Sequence, residues 1–245
     1  MLKRVISTLF ILSASTSAVA EWFVQPKVGV EQRSYTLQIG DDSDNTAKSS
    51  ISSLLVGMSL INSDGWYVDA EVSSGDGTVS DFYPEDDRIE INAFTFTAGK
   101  QLGAGWTLFG GANISDTIIH NDKDQVNQGE SFNFNSVGFF AGIAKTFIPA
   151  KGHSINLSGA LGALSGSYKN ETNGGIQDFD AEGNAIGYSA SISYSFRFTP
   201  KAALTAGFKA QSYTYTNMTD SDTDVEYADA TESFSSIFAK ASYAF

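Results

Sequence analysis

Apolar and polar residues alternate with a period of two along most of the chain. In the clearest segment, 185–198, apolar or aromatic residues fill the even positions, and serine or glycine fills most of the odd ones. Alternation of this kind puts the apolar side chains on one face of a strand, whereas helical spacing would mix them with the serines. The pattern recurs over 53–60 and 66–73. It predicts long strands, each with one apolar face.

The connections between these segments alternate between short and long. The short ones are 62–65, 103–105, 148–152 and 199–201, and the long polar ones lie near 38–49, 74–87, 117–131, 169–183 and 217–231. Four short turns and five long loops join ten strands. This predicts an all-β fold, a transmembrane antiparallel up-and-down β-barrel of about ten strands with short periplasmic turns and long outer loops. Eight or twelve strands stay open, because 88–102 and 132–147 alternate imperfectly.

Aromatic residues gather at the strand ends. A soluble lipocalin-type barrel is the alternative fold, but its apolar face points inward and its loops are mostly short. One aromatic set lies beside the short turns and predicts a periplasmic girdle at the membrane interface: Trp22, Trp66, Trp106, Phe147 and Phe198. A second set lies toward the long loops: Tyr35, Phe132, Phe134, Tyr168, Tyr188, Tyr213, Tyr215 and Phe234. Members of the second set with outward parity, Tyr188 most clearly, are expected to form an outer girdle, whereas Tyr35, Tyr213 and Tyr215 share the parity of the lumen charges.

The first 20 residues have the pattern of a signal peptide. Two basic residues precede a short apolar stretch, and small residues follow at Ala18 and Ala20. The apolar stretch is too short for a transmembrane helix, which needs roughly 20 residues. We therefore expect residues 1–20 to be removed on export and residues 21–245 to form one barrel domain.

The chain ends on an alternating strand whose last residue is Phe245, preceded by Tyr243 and by apolar residues at every second position. This resembles the C-terminal signature of bacterial outer-membrane proteins, and the chain resembles a small porin-family or opacity-type outer-membrane β-barrel. The resemblance implies location in a Gram-negative outer membrane. It also implies that the barrel assembly machinery reads Phe245 and Tyr243 during biogenesis. We expect a monomer at the cell surface.

Composition agrees with a barrel and excludes other classes. The mean hydropathy is only -0.12 with 42% hydrophobic residues, as expected when alternate strand positions meet lipid. The absence of cysteine excludes disulfides and thiolate metal sites. A net charge of -13 argues against nucleic acid as a partner.

The negative charge is concentrated in the long loops, which hold 22 of the 28 acidic residues in or beside them. We expect these loops to contact lipopolysaccharide through loosely bound Ca²⁺ or Mg²⁺, without a dedicated cofactor or metal site. The alternative is contact with an extracellular receptor or matrix. The densest candidate for a divalent-cation loop comprises Asp220, Asp222, Asp224 and Glu226. It lacks the glycine turn and final glutamate of a calcium loop.

Several charged residues are predicted to face the lumen when the apolar positions are placed outward. They are Lys27, Glu31, Arg33, Asp69, Glu71, Arg197, Lys209 and Lys240, with Glu90 on the strand of weakest alternation. Both signs are present, and a ten-stranded barrel is near the size that side chains fill. We therefore expect an ion-pair network that plugs the barrel. The alternative is a charged constriction in a narrow channel for small solutes or ions.

The sequence contains two histidines, His120 and His153. Outer-membrane barrels that are proteases or phospholipases use a histidine with carboxylates or serine near the outer rim. No second strand carries the acid pair of omptin-like proteases, and no phospholipase motif is present. We predict a non-enzymatic surface protein that serves envelope integrity or adhesion, with a hydrolase at the rim, built around His120, as a further alternative.

Overall fold

The computed structural model describes residues 22–40, 46–80, 87–121, 130–171, 179–220 and 225–245. They form ten strands: β1 (Trp22–Ile39), β2 (Thr46–Asn62), β3 (Trp66–Ser80), β4 (Asp87–Gly103), β5 (Trp106–Asn121), β6 (Glu130–Ala150), β7 (His153–Glu171), β8 (Phe179–Arg197), β9 (Ala202–Asp220) and β10 (Ala230–Tyr243). The predicted signal peptide, Asp222 and Asp224 lie outside the described residues. The described part of the chain contains no helix long and apolar enough to cross a membrane.

Each strand pairs antiparallel with its neighbours in sequence, and β1 pairs with β10 to close the barrel. The predicted up-and-down barrel of ten strands is therefore confirmed. Positive backbone φ angles make the short turns tight. Ala104 and Gly105, between β4 and β5, have φ of 47° and 77°, the arrangement of a two-residue hairpin whose twist matches the strands. We call this end of the barrel the turn end and the opposite one the loop end.

The outer surface near the turn end is apolar. We name its outward-facing residues the apolar belt: Val28, Val30, Leu54, Val56, Phe96, Leu108, Ile114, Val137, Phe139, Ile143, Leu157, Leu161, Ile186, Ile192, Leu204, Phe208 and Ile237. Phe139 and Ile186 are each 76% exposed. A continuous apolar surface around the whole barrel is not found on soluble monomers, which expose only patches of limited area.

The two faces of the strands exchange polarity above the belt. On the outer face of β1, Val30 is followed toward the loop end by Gln32, Ser34 and Thr36, while Leu37 on the inner face is fully buried. We name the outward polar residues the polar wall: Gln32, Ser34, Thr36, Ser50, Ser52, Ser74, Asn92, Asn133, Asn135, Asn184, Ser212, Thr214, Ser233 and Ser235. Hydrogen bonds cross the wall from strand to strand, as between Ser74 and Asn92 at 2.7 Å.

A hydrophobic core fills the barrel behind the polar wall. Its larger buried members are Tyr35, Leu37, Ile51, Ile89, Ile91, Ile119, Phe132, Phe134, Leu164, Tyr215 and Met218, with Tyr168, Tyr213 and Phe234 packed against them. The Phe134 and Tyr215 rings meet edge to face with centroids 4.7 Å apart, a favoured aromatic geometry. Within the described residues, Tyr188 points outward and Tyr35, Tyr213 and Tyr215 point inward, as their parity predicts, and the rest of the second aromatic set also points inward. In its loop half, the barrel is therefore apolar inside and polar outside, as a soluble protein is.

Candidate functional site in the barrel lumen

An ion-pair network of four residues lies in the lumen at the level of the apolar belt. Lys27 Nζ is 2.8 Å from Asp69 Oδ1 and 2.9 Å from Glu71 Oε2, and Lys240 Nζ is 2.6 Å from the same Glu71 oxygen. Glu71 thus accepts hydrogen bonds from two lysines that come from β1 and β10. We call Lys27, Asp69, Glu71 and Lys240 the ion-pair network.

Glycines give the two lysines room to cross neighbouring strands. Lys27 reaches over β2 at Gly57, where an added Cβ would lie 2.5 Å from Lys27 Cε. Lys240 reaches over β1 at Gly29, where an added Cβ would lie 2.8 Å from Lys240 Cγ. The small residues on the inner face therefore position the charged ones.

A polar cavity lies between the ion-pair network and the hydrophobic core. Its volume is about 210 Å³. Arg33 binds Glu31 on one side of it, with Nη2 and Oε2 2.6 Å apart, and donates a 2.7 Å hydrogen bond to Ser73. Lys209 faces the cavity from β9, and the remaining lining includes Thr95, Asn113, Ser115, Ser191 and Gln211. Water can occupy such a cavity, because it is large and offers many hydrogen-bonding groups.

Glu232 lies above the apolar belt, between the polar cavity and the core, and is 1% exposed. Tyr215 Oη donates a 3.3 Å hydrogen bond to one of its carboxylate oxygens. Burial raises the pKa of Glu232 to about 7, and it also raises the pKa of Tyr35 well above its usual range. Glu232 Oε1, Tyr35 Oη and Thr117 Oγ1 are buried without a hydrogen-bond partner among the described residues.

Glu232 is the residue that sequence reasoning missed, because we counted it with the acidic loops. Its parity on β10 matches that of Phe234, Ser236 and Lys240, all of which face inward. Parity along the strand was the signal that could have found it.

Of the nine charged residues predicted to face the lumen, seven face the interior, and Arg197 and Glu90 do not. Lys27, Asp69, Glu71 and Lys240 form the network, Glu31 pairs with Arg33, and Lys209 lines the cavity. Arg197 is exposed at the rim of the turn end.

The inward placement of Glu90 is wrong. Glu90 lies on the outer side of β4, where its Oε1 is 2.7 Å from Arg88 Nη2. The error has a physical cause. Above the belt, the isoleucines at 89 and 91 point into the core and are almost completely buried, so apolar residues no longer mark the outer face there.

Both histidines lie on the outside of the barrel. His120 Nε2 is 3.8 Å from Glu90 Oε1 on the polar wall, in register with Arg88 on β4. His153 stacks on Phe196 at the turn end, with centroids 4.8 Å apart, and hydrogen-bonds Tyr194. Neither side chain faces the lumen.

The predicted girdle residues lie at the turn end on the outer surface, where Trp22, Trp66, Trp106, Phe147 and Phe198 are 43 to 53% exposed. At the C-terminus, the Phe245 ring lies 5.1 Å from that of Tyr243. The Phe245 backbone N–H donates a 3.0 Å hydrogen bond to the Val24 carbonyl. The terminal residue is thus tied to the first strand where the barrel closes.

The described part of the predicted cation loop comprises Asp220 and Glu226. Asp220 is buried and accepts a 3.3 Å hydrogen bond from Tyr227 Oη, whereas Glu226 is exposed. Within the described ranges, no group of three or more acidic or histidine side chains is arranged to hold a metal ion.

Comparison with known proteins relates the chain to solved structures alone. No protein-family model and no curated protein matches the sequence. The outer-membrane protease OmpT from Escherichia coli matches with a TM-score of 0.59 and 10% identity, covering 96% of this chain and 99% of OmpT. The translocator domain of the autotransporter NalP from Neisseria meningitidis matches with a TM-score of 0.53 and 14% identity, covering 100% and 93%. Sequence identities this low support a likeness of fold alone. The chain has the fold of the outer-membrane β-barrel proteins.

Proposed function

We propose that the protein is a non-enzymatic β-barrel of a Gram-negative outer membrane whose lumen does not conduct and which acts through its outer surface. The apolar belt and the aromatic residues at the turn end support membrane insertion. On β1, the outward apolar stretch from Trp22 to Val30 is nine residues long, which matches the nine to eleven residues that a tilted strand needs to span a bilayer.

The observation that carries the proposal of a closed lumen is the hydrophobic core inside the loop half. Ions and polar solutes would have to pass a layer of aromatic and aliphatic side chains. The cavity of about 150 Å³ at this level, between Leu37, Phe132 and Met218, is lined by apolar residues and offers an ion almost no polar partner. The ion-pair network lies across the lumen below this layer. An ion passing there would have to separate these paired charges, and breaking a buried ion pair is costly, so the network adds a second obstacle.

The outer surface is the remaining place for activity. The polar wall lies above the belt, at the depth of the lipopolysaccharide sugars, and offers hydroxyl and amide groups that can bind them. The acidic loops beyond it can share Ca²⁺ or Mg²⁺ with lipopolysaccharide phosphates, since both ions prefer oxygen ligands. These features favour a role in envelope integrity or in adhesion to a receptor or matrix.

A narrow channel is the second candidate. The polar cavity of about 210 Å³ supports it, because a chain of such cavities would let small ions pass if the core opened. Among the described inward-facing residues at the core level, the lining is mainly apolar, which favours the closed barrel.

Thiol labelling can test whether the lumen is closed, because the chain has no native cysteine. Ser191→Cys lies in the polar cavity, and Ser235→Cys is exposed on the polar wall. A membrane-impermeant thiol reagent added to whole cells should label Ser235→Cys rapidly and leave Ser191→Cys unlabelled until the barrel is denatured. Equal labelling of both sites in the folded protein would contradict a closed lumen.

Deleting residues 221–224 from the last long loop separates the two surface roles. If the protein is an adhesin of these loops, binding of cells to matrix falls while resistance to detergent is unchanged. If it serves the envelope, detergent resistance falls and becomes insensitive to Mg²⁺. If neither binding to matrix nor detergent resistance changed, a function for the acidic loop would be contradicted.

A further inference from the structure

Two tryptophan–lysine pairs repeat on consecutive hairpins at the turn end. Trp66 on β3 pairs in register with Lys100 on β4, and Trp106 on β5 pairs with Lys145 on β6. In both pairs the lysine Nζ lies 4.8 Å from the centroid of the indole ring. The rings face outward and are 47% and 43% exposed. The same geometry at two equivalent positions indicates a repeated surface feature.

The two ammonium groups lack a neutralising carboxylate. No ion pair joins Lys100 or Lys145 to an acidic side chain in the part of the chain that the structure describes. Lys145 donates a hydrogen bond to the Ala104 carbonyl and lies 5.7 Å from the centroid of the Phe147 ring. Both positive charges therefore remain available to a ligand outside the barrel.

The surroundings of these pairs are basic, although the chain has a net charge of -13. The outward and turn-facing surface at this end carries one described acidic side chain, Asp64. Its described basic residues are Lys100, Lys145, Lys151, Arg197 and Lys201. The described acidic side chains on the outer surface lie toward the loop end instead, among them Glu90, Asp116, Glu182 and Glu226. The barrel thus has opposite charge at its two ends.

We propose that the Trp66/Lys100 and Trp106/Lys145 pairs bind the phosphate groups of anionic glycerophospholipids in the leaflet at the turn end. This inference rests on the proposed membrane insertion. Each ammonium is placed to pair with a lipid phosphate, and each indole packs against the glycerol and upper acyl chain, as aromatic and lysine side chains do at membrane interfaces. β4 and β6 are two strand spacings apart, about 10 Å, which leaves room for one lipid at each pair.

Tryptophan quenching by brominated lipids tests the proposal. In a Trp22→Phe background, Trp66 and Trp106 are the reporters, since the chain has three tryptophans. The mature barrel is inserted into phosphatidylcholine vesicles that contain brominated phosphatidylglycerol or brominated phosphatidylcholine. An anionic surface attracts each nearby lysine by about 1 kcal/mol, so we expect about fivefold stronger association of phosphatidylglycerol with each pair.

Matched variants distinguish lipid binding at the two pairs from a general effect of the protein's positive charge. The Lys100→Gln/Lys145→Gln variant should lose the preference for phosphatidylglycerol. Lys48→Gln, which removes an exposed lysine at the loop end of β2, should keep it. Equal quenching of the wild-type barrel by both lipids, or an unchanged preference in the double variant, would overturn the proposal. Absence of quenching by either lipid would instead contradict the proposed membrane insertion.

Discussion

At the scale of single residues, the lumen contains two kinds of buried acid. Glu71 is ionised in a network with two lysines. Glu232 is surrounded by aromatic rings and receives one hydrogen bond, from Tyr215. A charged carboxylate in such an apolar site is disfavoured, whereas paired charges stabilise each other. The two residues should therefore respond in opposite ways when their charge is removed.

Glu232→Gln should stabilise the barrel at neutral and alkaline pH. The pKa of Glu232 rises from 4.5 to about 7 on folding, so the folded state binds its proton more tightly than the unfolded state. Stability from this group is present below pH 4.5 and is lost as pH rises to about 7, by about 3 kcal/mol. Guanidinium unfolding of the wild type, followed by tryptophan fluorescence from pH 4 to 8, should show this fall. The fall should disappear in Glu232→Gln, and an identical pH dependence of the two proteins would contradict it.

Glu71→Gln should destabilise the barrel, because it leaves Lys27 and Lys240 with one carboxylate between them in a partly dry lumen. Removing one partner of a buried ion pair costs about 3 kcal/mol. Glu90→Gln is the matched control. Its pair with Arg88 is on the surface, so we expect a change under about 1 kcal/mol in the same unfolding measurement. A smaller effect at Glu71 than at Glu90 would argue against the network.

At the scale of strands, small residues on the inner face let large ones pack. Gly187 on β8 pairs in register with Gly162 on β7. An added Cβ at Gly187 would lie 2.0 Å from Tyr213 Cδ1 and 2.4 Å from the Ser212 carbonyl oxygen, whereas one at Gly162 would meet no atom closer than 3.5 Å. Two glycines that face each other thus have different roles.

Gly187→Ala should lower the free energy of unfolding by about 1 to 3 kcal/mol, the usual cost of overpacking. Gly162→Ala should leave it unchanged or raise it slightly, because the new methyl group makes ordinary contacts there. Comparing the two variants by chemical unfolding checks the prediction. Equal effects at the two glycines would show that Tyr213 does not fix the packing of β8 against β9.

The strands also explain how far the sequence could predict the structure. Period-two alternation with short and long connections was enough to predict ten strands. Inward parity was enough to predict that Lys27, Asp69, Glu71 and Lys240 face the lumen. The polarity exchange above the belt was not predicted. On β4, apolar residues occupy the inner positions 89 and 91 and then the outer positions 94 and 96, which in sequence looks like imperfect alternation. Parity alone does not say which face is buried, because that depends on the depth of the membrane.

At the scale of the whole molecule, the two halves of the barrel are suited to different surroundings. Its turn half is apolar outside and polar inside, and its loop half is polar outside and apolar inside. This arrangement lets strands longer than a bilayer project from the surface while keeping their inner faces dry. It also separates charge among the described residues, with basic residues at the turn end and acidic residues toward the loop end. The main functional consequence that we propose for this arrangement is a closed lumen.

Single-channel recording in planar bilayers tests that consequence most directly. The purified wild-type barrel should insert without steady conductance steps. A variant with Tyr35, Phe134 and Tyr215 replaced by alanine should open measurable steps, because it removes three aromatic rings from the core. Stable, uniform openings of the wild-type barrel, as large as those of the variant, would contradict the account of a lumen closed by its own side chains.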